Sequence, residues 1–321
     1  MNDVDNKGDD DRPHEDERWA RDLIGRVAFA ALLERRRSRR WGIFFKFLVF
    51  VYLTFFILIN LPVDWEGKAI MGARHTALVT VDGLIASSAE ASAENVISGV
   101  RAAFDDERTA GIVLEINSPG GSPVQAGEIF DEISRLRDLH PDIPVYAVAI
   151  DVCASGGYYV AAAAKQIFAN RASIIGSIGV RADSFGFVGA MEKLGIERRL
   201  YVAGNDKAFL DPFSPPRPAE VAHLQGMLDD IHRQFIAAVK KGRGDRLGNS
   251  PELFSGLVWT GDQSLELGLI DGLGSTQYVA EQVIGVEEIA DFTRRPKVFD
   301  RIFDGIESAL LGADRSGLRF H

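Results

Sequence analysis

The sequence predicts an α/β domain built on a largely parallel sheet and preceded by a single transmembrane helix. Apolar segments of strand length alternate with segments of helical periodicity between residues 77 and 241, which is the order of a βαβ chain. Upstream of them, residues 41–65 include 17 consecutive uncharged residues, from Phe47 to Val63. With the flanking apolar residues, this run has the length of a membrane span rather than of a strand.

Size and composition limit the classes of protein that fit. The chain has 321 residues, of which 46% are apolar and 26% are charged, values near those of soluble proteins. They exclude a largely disordered chain and a polytopic membrane protein, and the length fits one large α/β domain with appendages. The net charge of −10 argues against nucleic acid as the main partner. The single cysteine, Cys153, excludes an internal disulfide and a multi-cysteine metal site.

The N-terminal arm, residues 1–40, changes its sign of charge along its length. Residues 1–17 contain eight acidic and two basic side chains with almost no apolar bulk, and we expect them to be disordered. Residues 18–40 contain eight arginines and two acidic side chains, so the arm as a whole has no net charge. The entire charge of −10 therefore belongs to residues 41–321.

Residues 41–65 are predicted to be an uncleaved membrane anchor. The segment is long enough to cross about 30 Å of hydrocarbon, and its flanking arginines argue against the alternative of a buried core helix. A cleaved signal peptide, the other alternative, would have a shorter N-terminal region and a small-x-small site, which residues 60–67 lack. Because positively charged flanks stay inside, we expect the arm to be cytoplasmic and the domain after the anchor to be extracytoplasmic.

The extracytoplasmic domain is predicted to span residues 66–285, followed by an amphipathic tail at residues 286–321. Predicted strands occupy residues 77–81, 111–116, 144–150 and 198–202. Predicted helices occupy residues 92–106, 123–139, 156–164 and 218–241. In the tail, apolar residues recur at helical spacing, which favours packing on the domain or on a neighbouring subunit over the alternative of a membrane-surface helix.

The first candidate site segment is the turn Asn117-Ser118-Pro119-Gly120-Gly121-Ser122, directly after the second predicted strand. Its two glycines free the backbone to point N–H groups into a pocket, and they precede a helix N-terminus, which favours an anion. Such N–H groups suit the oxyanion of an acyl transfer. An ordinary strand-to-helix turn is the alternative interpretation.

The second candidate segment runs from Cys153 to Tyr159, directly after the third predicted strand. Ser155 precedes two glycines at the start of a helix, where its hydroxyl can be exposed beside a free N–H. The segment is not a G-x-S-x-G elbow, because Cys153 takes the place of the first glycine. The alternative is that Ser155 is an ordinary helix N-cap. Apolar surroundings predict an inert, buried thiol at Cys153.

A serine nucleophile needs a base. His14 lies on the cytoplasmic side of the predicted anchor, and His140 and His223 occupy polar contexts that favour solvated or capping roles. Lys207 is the other candidate, since it follows a predicted strand within an apolar run and a lysine base requires an apolar environment that favours the neutral amine. A surface lysine whose stem rests on Phe209 is the alternative.

Several segments occur in a distinctive order. They are NSPGG at 117–121, ASGGYYVAAAA at 154–164, IGSIGV at 175–180, the segment around Lys207, and VWTGDQSLELGLIDGLG at 258–274. Together they resemble the bacterial signal peptide peptidase A family of serine proteases, over about residues 77–285. The resemblance implies a crotonase/Clp-protease-like α/β fold with a Ser/Lys dyad.

The resemblance also implies the roles of individual residues. Ser155 would be the nucleophile, Lys207 the general base, and Ser177 the serine that orients the lysine. Gly121 and Gly156 would supply the backbone donors of the oxyanion hole. The implied mechanism requires no metal and no cofactor.

We therefore expect a membrane-anchored serine endopeptidase that degrades signal peptides left in the membrane. Its expected partners are peptide substrates, lipid around residues 41–65, and further copies of the chain, because the resemblance implies that neighbouring subunits complete each site. The alternatives are an inactive membrane scaffold of the same fold, a Clp-like Ser-His-Asp protease and a crotonase-like acyl-transfer enzyme. The chain has no Met-x-His-Gln-Pro segment of the Clp type.

Overall fold

The computed structural model describes Trp19, Arg26 and residues 40–56 and 73–295. The chain divides into two units, residues 1–69 and 70–321. In the first, residues 40–56 form helix α1, and all of its side chains are exposed. Among the described residues, no helix is both long and apolar enough to cross a membrane. Most of the predicted arm, the second part of the predicted anchor and residues 296–321 of the predicted tail lie outside the described residues.

The second unit is an α/β domain on a largely parallel sheet, which confirms that part of the predicted fold class. Its strands are β1 (His75–Asp82), β2 (Thr109–Ser118), β3 (Val145–Ala154), β4 (Gln166–Ala169), β5 (Ile174–Gly176), β6 (Val258–Thr260), β7 (Gly272–Leu273) and β8 (Ile289–Asp291). Its helices are α2 (Ala93–Asp105), α3 (Pro123–Leu139), α4 (Gly156–Ala161), α5 (Val188–Leu194), α6 (Pro218–Arg243), α7 (Gly261–Glu266) and α8 (Thr276–Tyr278). Short 3₁₀ turns follow α6 at Gly244–Arg246 and Pro251–Phe254, and a π-helical turn, Val279–Ile284, follows α8.

The sheet has the order β6-β5-β3-β2-β1-β8, and β4 joins β3 to β7 beside this path. Its pairs are parallel except for β5 and β6, which run antiparallel. Both faces of β2 and β3 are covered, because their side chains divide between a large core cluster and a smaller one around Val113, Tyr146 and Val148. This explains why these strands appear in the sequence as continuous apolar runs.

Side-chain caps determine where helices α2 and α3 begin. The Ser92 hydroxyl accepts a hydrogen bond from the N–H of Asn95 at the start of α2. The Ser122 hydroxyl caps α3 in the same way, with Pro123 at the first helical position. Because Ser122 directly follows the paired glycines, the cap sets the point at which the glycine turn ends.

The segment between β5 and α6 differs most from the sequence-based expectation. The predicted strand at residues 198–202 is wrong: these residues are irregular and exposed. A strand needs a neighbour to pair with, and this segment belongs to an exposed arm, residues 181–217, outside the sheet. The predicted helix at residues 156–164 is also shorter, since α4 ends at Ala161. The sheet takes its last strand, β8, from beyond residue 285, where the tail was predicted to begin.

The end of α6 is fixed to the domain by a buried ion pair. The guanidinium of Arg243 contacts both carboxylate oxygens of Asp271, at 2.5 and 3.1 Å. Burial raises the pKa of Asp271, but the Arg243 guanidinium, the Ile167 N–H and the charge of Arg246 together hold the pKa of that carboxyl below its usual value. Close packing adds to the ion pair, because a β-carbon at Gly242 would overlap the carbonyl oxygen of Ala162. The C-terminal end of α6 is therefore packed directly against the main chain at the end of α4.

Candidate active site

The sheet brings the two glycine-bearing turns together. Strands β2 and β3 are parallel neighbours, and Ser118, the last residue of β2, is paired with Cys153, the residue before the end of β3. The turns that follow them therefore emerge at the same edge of the sheet. A β-carbon at Gly120 would lie 2.7 Å from both the Ser155 Cβ and the Gly156 nitrogen. The main chains of the two turns are in direct contact, and only glycine fits between them.

Ser155 has a strained backbone at the junction of β3 and α4. Its φ of 53° and ψ of −123° lie in a region that side-chain-bearing residues rarely adopt. The conformation is held by two main-chain bonds, from the Ser155 N–H to the Gly176 carbonyl and from the Tyr159 N–H to the Ser155 carbonyl. Ser155 occupies the N-cap position, but its side chain makes no capping hydrogen bond. The ordinary N-cap interpretation is therefore wrong.

Gly121 and Gly156 present adjacent main-chain nitrogens beside Ser155. A β-carbon at Gly156 would lie 3.3 Å from the Gly121 nitrogen. A parallel bridge joins Gly121 to Ile85 through the Ile85 N–H and the Ser122 N–H, and neither bond uses the N–H of Gly121. Within residues 73–295, neither the Gly121 N–H nor the Gly156 N–H has an acceptor. Two free donors beside a serine hydroxyl are what an oxyanion requires.

The side chain of Ser118 stabilises the glycine turn through two hydrogen bonds. Its hydroxyl donates to the Gly83 carbonyl at 2.6 Å and accepts from the Gly120 N–H at 3.1 Å. A β-carbon at Gly121, whose φ is 151°, would overlap the Ile85 carbonyl. The main chain of Gly121 therefore packs directly against the main chain of Ile85. Sequence reasoning gave Ile85 no role, because a main-chain contact leaves no signal in side-chain chemistry.

The prediction of an inert thiol at Cys153 is confirmed. The side chain is fully buried, and burial raises the pKa of the thiol well above its usual value. Its sulfur is therefore protonated at neutral pH and is not a nucleophile. This leaves Ser155 as the nucleophile candidate on this turn.

Ser177 and Lys207 differ in how the structure places them. Ser177 directly follows β5 with a φ of 51°, next to Gly176, whose carbonyl accepts the Ser155 N–H. Ser177 therefore lies at the same edge of the sheet as Ser155. Lys207 lies in a turn of the exposed arm, and its side chain is exposed rather than buried in an apolar run. Within residues 73–295, no hydrogen bond joins Lys207 to Ser155 or Ser177.

The histidines of the described domain have other contacts. His75 stacks on Phe292, and the His140 ring packs near Phe104 at the end of α3. His232 reaches the carbonyl oxygen of Ile178 at 3.2 Å, one residue beyond Ser177. Over residues 73–295, no histidine contacts Ser155, so the geometry offers no support for a Ser-His pair. The described residues also contain no group of three or more acidic, histidine or cysteine side chains that could bind a metal.

A strained serine beside two unpaired glycine N–H groups is the arrangement that enzymes of the acyl-transfer class use. Comparison with known proteins gives the family. The family model "Peptidase family S49" matches residues 137–287. The chain is 30% identical over 232 residues to a putative signal peptide peptidase SppA of Enterococcus faecium, covering 69% of this chain and 67% of that protein. The chain belongs to peptidase family S49, a family of serine endopeptidases.

Two further relatives show how far the similarity extends. A putative protease, slr0021, of Synechocystis sp. is 32% identical over 201 residues, which cover 63% of this chain and 70% of that protein. A protein of Brucella abortus named Na(+)/H(+) antiporter NhaA is 44% identical over 183 residues, covering 57% of this chain. The match spans only 25% of that longer protein.

Proposed function

We propose that this chain is a membrane-anchored serine endopeptidase in which Ser155 is the nucleophile and Lys207 is the general base. The observation that carries this proposal is the strained Ser155 with the free N–H groups of Gly121 and Gly156 beside it. Strain of this kind persists where the surroundings hold a side chain in a working position. Membership of family S49 supports the same reaction class.

The proposed reaction has two halves. In the first, the neutral amine of Lys207 accepts the proton of Ser155, whose oxygen attacks the peptide carbonyl carbon. The N–H groups of Gly121 and Gly156 stabilise the resulting oxyanion. Lys207 then donates its proton to the leaving amine. In the second half, water attacks the acyl-enzyme in the same way and releases the acid product and Ser155. Ser177 donates a hydrogen bond that orients the lysine amine.

We propose that the lysine reaches the serine of a neighbouring copy of the chain. The arm that carries Lys207 exposes large apolar side chains, with exposed fractions of 36–88%. They are Phe185, Phe187, Leu194, Ile196, Leu200, Tyr201, Val202, Phe209 and Phe213. An apolar surface of this extent is typical of a protein–protein interface. A second copy of the chain bound to this surface would cover these residues. The Lys207 of the first copy would then lie at the Ser155 of the second copy.

We propose that residues 41–65 anchor the domain at a bacterial inner membrane, with the N-terminal arm, residues 1–40, in the cytoplasm. Helix α1 supports this, because its apolar side chains are exposed, and the arginines of residues 35–39 precede it. The measurement is a reporter fused after Gly67. We expect alkaline phosphatase activity from this fusion and none from a cytoplasmic reporter at the same position, and the reverse pattern would overturn the topology.

The substrate class we propose is the signal peptide left in the membrane after preprotein processing. A relative named as a putative signal peptide peptidase supports it, and an anchor would hold the site close to such substrates. The test is incubation of the full chain in detergent micelles with a synthetic signal peptide and with a polar peptide of equal length. We expect mass spectrometry to show faster cleavage of the signal peptide. Equal or slower cleavage would contradict the substrate class but not the endopeptidase activity.

A further inference from the structure

Arg217, directly before α6, contacts the turn that carries Lys207. Its Nη2 atom donates to the Asp206 carboxylate at 2.9 Å and lies 3.3 Å from the Asn205 carbonyl oxygen. The same nitrogen lies 2.5 Å from Oε1 of Glu220. One guanidinium nitrogen therefore connects the two residues that precede Lys207 to the first turn of a long helix.

Glu220 connects Arg217 to the first turn of α6. Its carboxylate accepts hydrogen bonds from the Arg217 side chain and main-chain N–H. These hydrogen bonds, with the Arg217 side chain first among them, lower the pKa of Glu220 below its usual value. The turn itself is closed by main-chain hydrogen bonds from the Lys207 N–H to the Gly204 carbonyl and from the Phe209 N–H to the Asp206 carbonyl. Arg217 therefore holds a closed turn at the two residues that precede Lys207.

Burial distinguishes this ion pair from an ordinary surface one. The Glu220 side chain is 6% exposed, whereas those of Arg217 and Asp206 are 51% and 73% exposed. A buried carboxylate that accepts several hydrogen bonds has a fixed position. Glu220 therefore serves as the fixed end of the connection, and Arg217 extends from it to the turn.

We propose that Arg217 and Glu220 are positioning residues for Lys207, acting through the turn at residues 205–210. The inference rests on the proposed role of Lys207 as the general base. Both residues act through the lysine turn and touch no reacting atom. Without Arg217, the turn would lose its bonds at residues 205 and 206, and the amine of Lys207 would sample many positions at a cost in orientation.

Arg217 has a second consequence, which is electrostatic. Asp206 directly precedes Lys207, and a free carboxylate at that position would favour the protonated ammonium over the neutral amine that a base requires. Arg217 pairs with this carboxylate. The other charged groups near the turn are already engaged: Arg198 pairs with Asp211, and the His223 ring packs edge-on against Phe209. Of the two carboxylates that Arg217 pairs with, Asp206 is the one directly beside Lys207 in the chain.

The test compares Arg217→Ala with Arg233→Ala in the full chain. Arg233 is the matched control, because it lies on the same helix and pairs with Asp230 at the same spacing, i and i+3. We expect Arg217→Ala to lower kcat by about tenfold or more, with KM changed less than twofold, because orientation of the base affects the chemical step. We expect its ascending pH–rate limb to move to higher pH. Arg233→Ala should match the wild type in both measurements.

Two further variants separate positioning from a merely structural role. Adding Asp206→Asn to Arg217→Ala should return the pH–rate limb to the wild-type position while kcat stays low. Arg217→Lys should restore part of kcat, since an ammonium can reach one of the acceptors. A wild-type kcat and pH limb in Arg217→Ala, with only a lower melting temperature, would overturn the inference. If Lys207→Ala is inactive under the same conditions, Lys207 remains the proposed base even when the inference about Arg217 fails.

Discussion

Replacement of Ser155 by alanine abolishes peptide hydrolysis and leaves the domain folded. We expect a fall in kcat/KM of about 10⁴-fold or more, because the nucleophile is the one group that forms a bond to the substrate. The fold should persist, since the Ser155 side chain makes no capping bond and the turn is held by main-chain bonds to Gly176 and Tyr159. The measurement is cleavage of a fluorogenic peptide by purified wild-type and variant proteins.

The backbone strain at Ser155 provides an internal control. Ser155→Gly should be as inactive as Ser155→Ala but more stable by about 1–3 kcal/mol, because glycine adopts a φ of 53° without penalty. Ser250→Ala should keep the wild-type activity but be less stable, since the Ser250 side chain caps a 3₁₀ turn and takes no part in the proposed reaction. Peptide cleavage by Ser155→Ala at the wild-type rate would exclude Ser155 as the nucleophile.

Replacement of Lys207 should have an effect of similar size. Lys207→Ala removes the proposed base, and Lys207→Arg retains the positive charge but cannot accept a proton near neutral pH. We expect both variants to be inactive and Lys193→Ala, on α5 of the same arm, to be fully active. Wild-type activity should rise with pH as the lysine deprotonates, and a flat profile from about pH 5 to about pH 9 would contradict a lysine base.

Mixed assemblies test whether the lysine acts on a neighbouring copy. Neither Ser155→Ala nor Lys207→Ala is active alone, but a site that takes its serine from one copy and its lysine from the next can be complete in a mixture. Random assembly of equal amounts should restore about a quarter of the wild-type activity, because each group is intact in half of the copies. No activity in a mixture shown to exchange subunits would place both groups in one chain.

The sequence predicted the elements whose pattern is set by their own residues. Strands β2 and β3 contain continuous apolar runs because both of their faces are covered, and α3 carries its cap at Ser122. Strands β4 to β8 have two to four residues each, and they depend on pairing with distant segments rather than on their own pattern. Residues 198–202 have the composition of a strand, but they lie outside the sheet.

In the candidate site, too, features that follow from the local sequence could be predicted, and features that depend on contacts between distant segments could not. Ser155, Gly121 and Gly156 could be predicted to converge, because each follows a strand of one parallel sheet. The contact of Gly121 with Ile85 could not, since it is made by main-chain atoms of a loop. The role of Arg217 beside Lys207 was also absent from the sequence interpretation, because it depends on the fold of the arm against the start of α6.

The main-chain construction of the glycine turn has a consequence for inhibition. The groups proposed to bind the oxyanion are backbone N–H groups, which every substitution except proline leaves chemically unchanged. Gly121 also cannot gain a side chain, because a β-carbon there would overlap the Ile85 carbonyl, and at Gly120 it would press on Ser155. An inhibitor that bonds to Ser155 and to these two N–H groups would therefore leave the protein few resistance mutations that preserve its own activity.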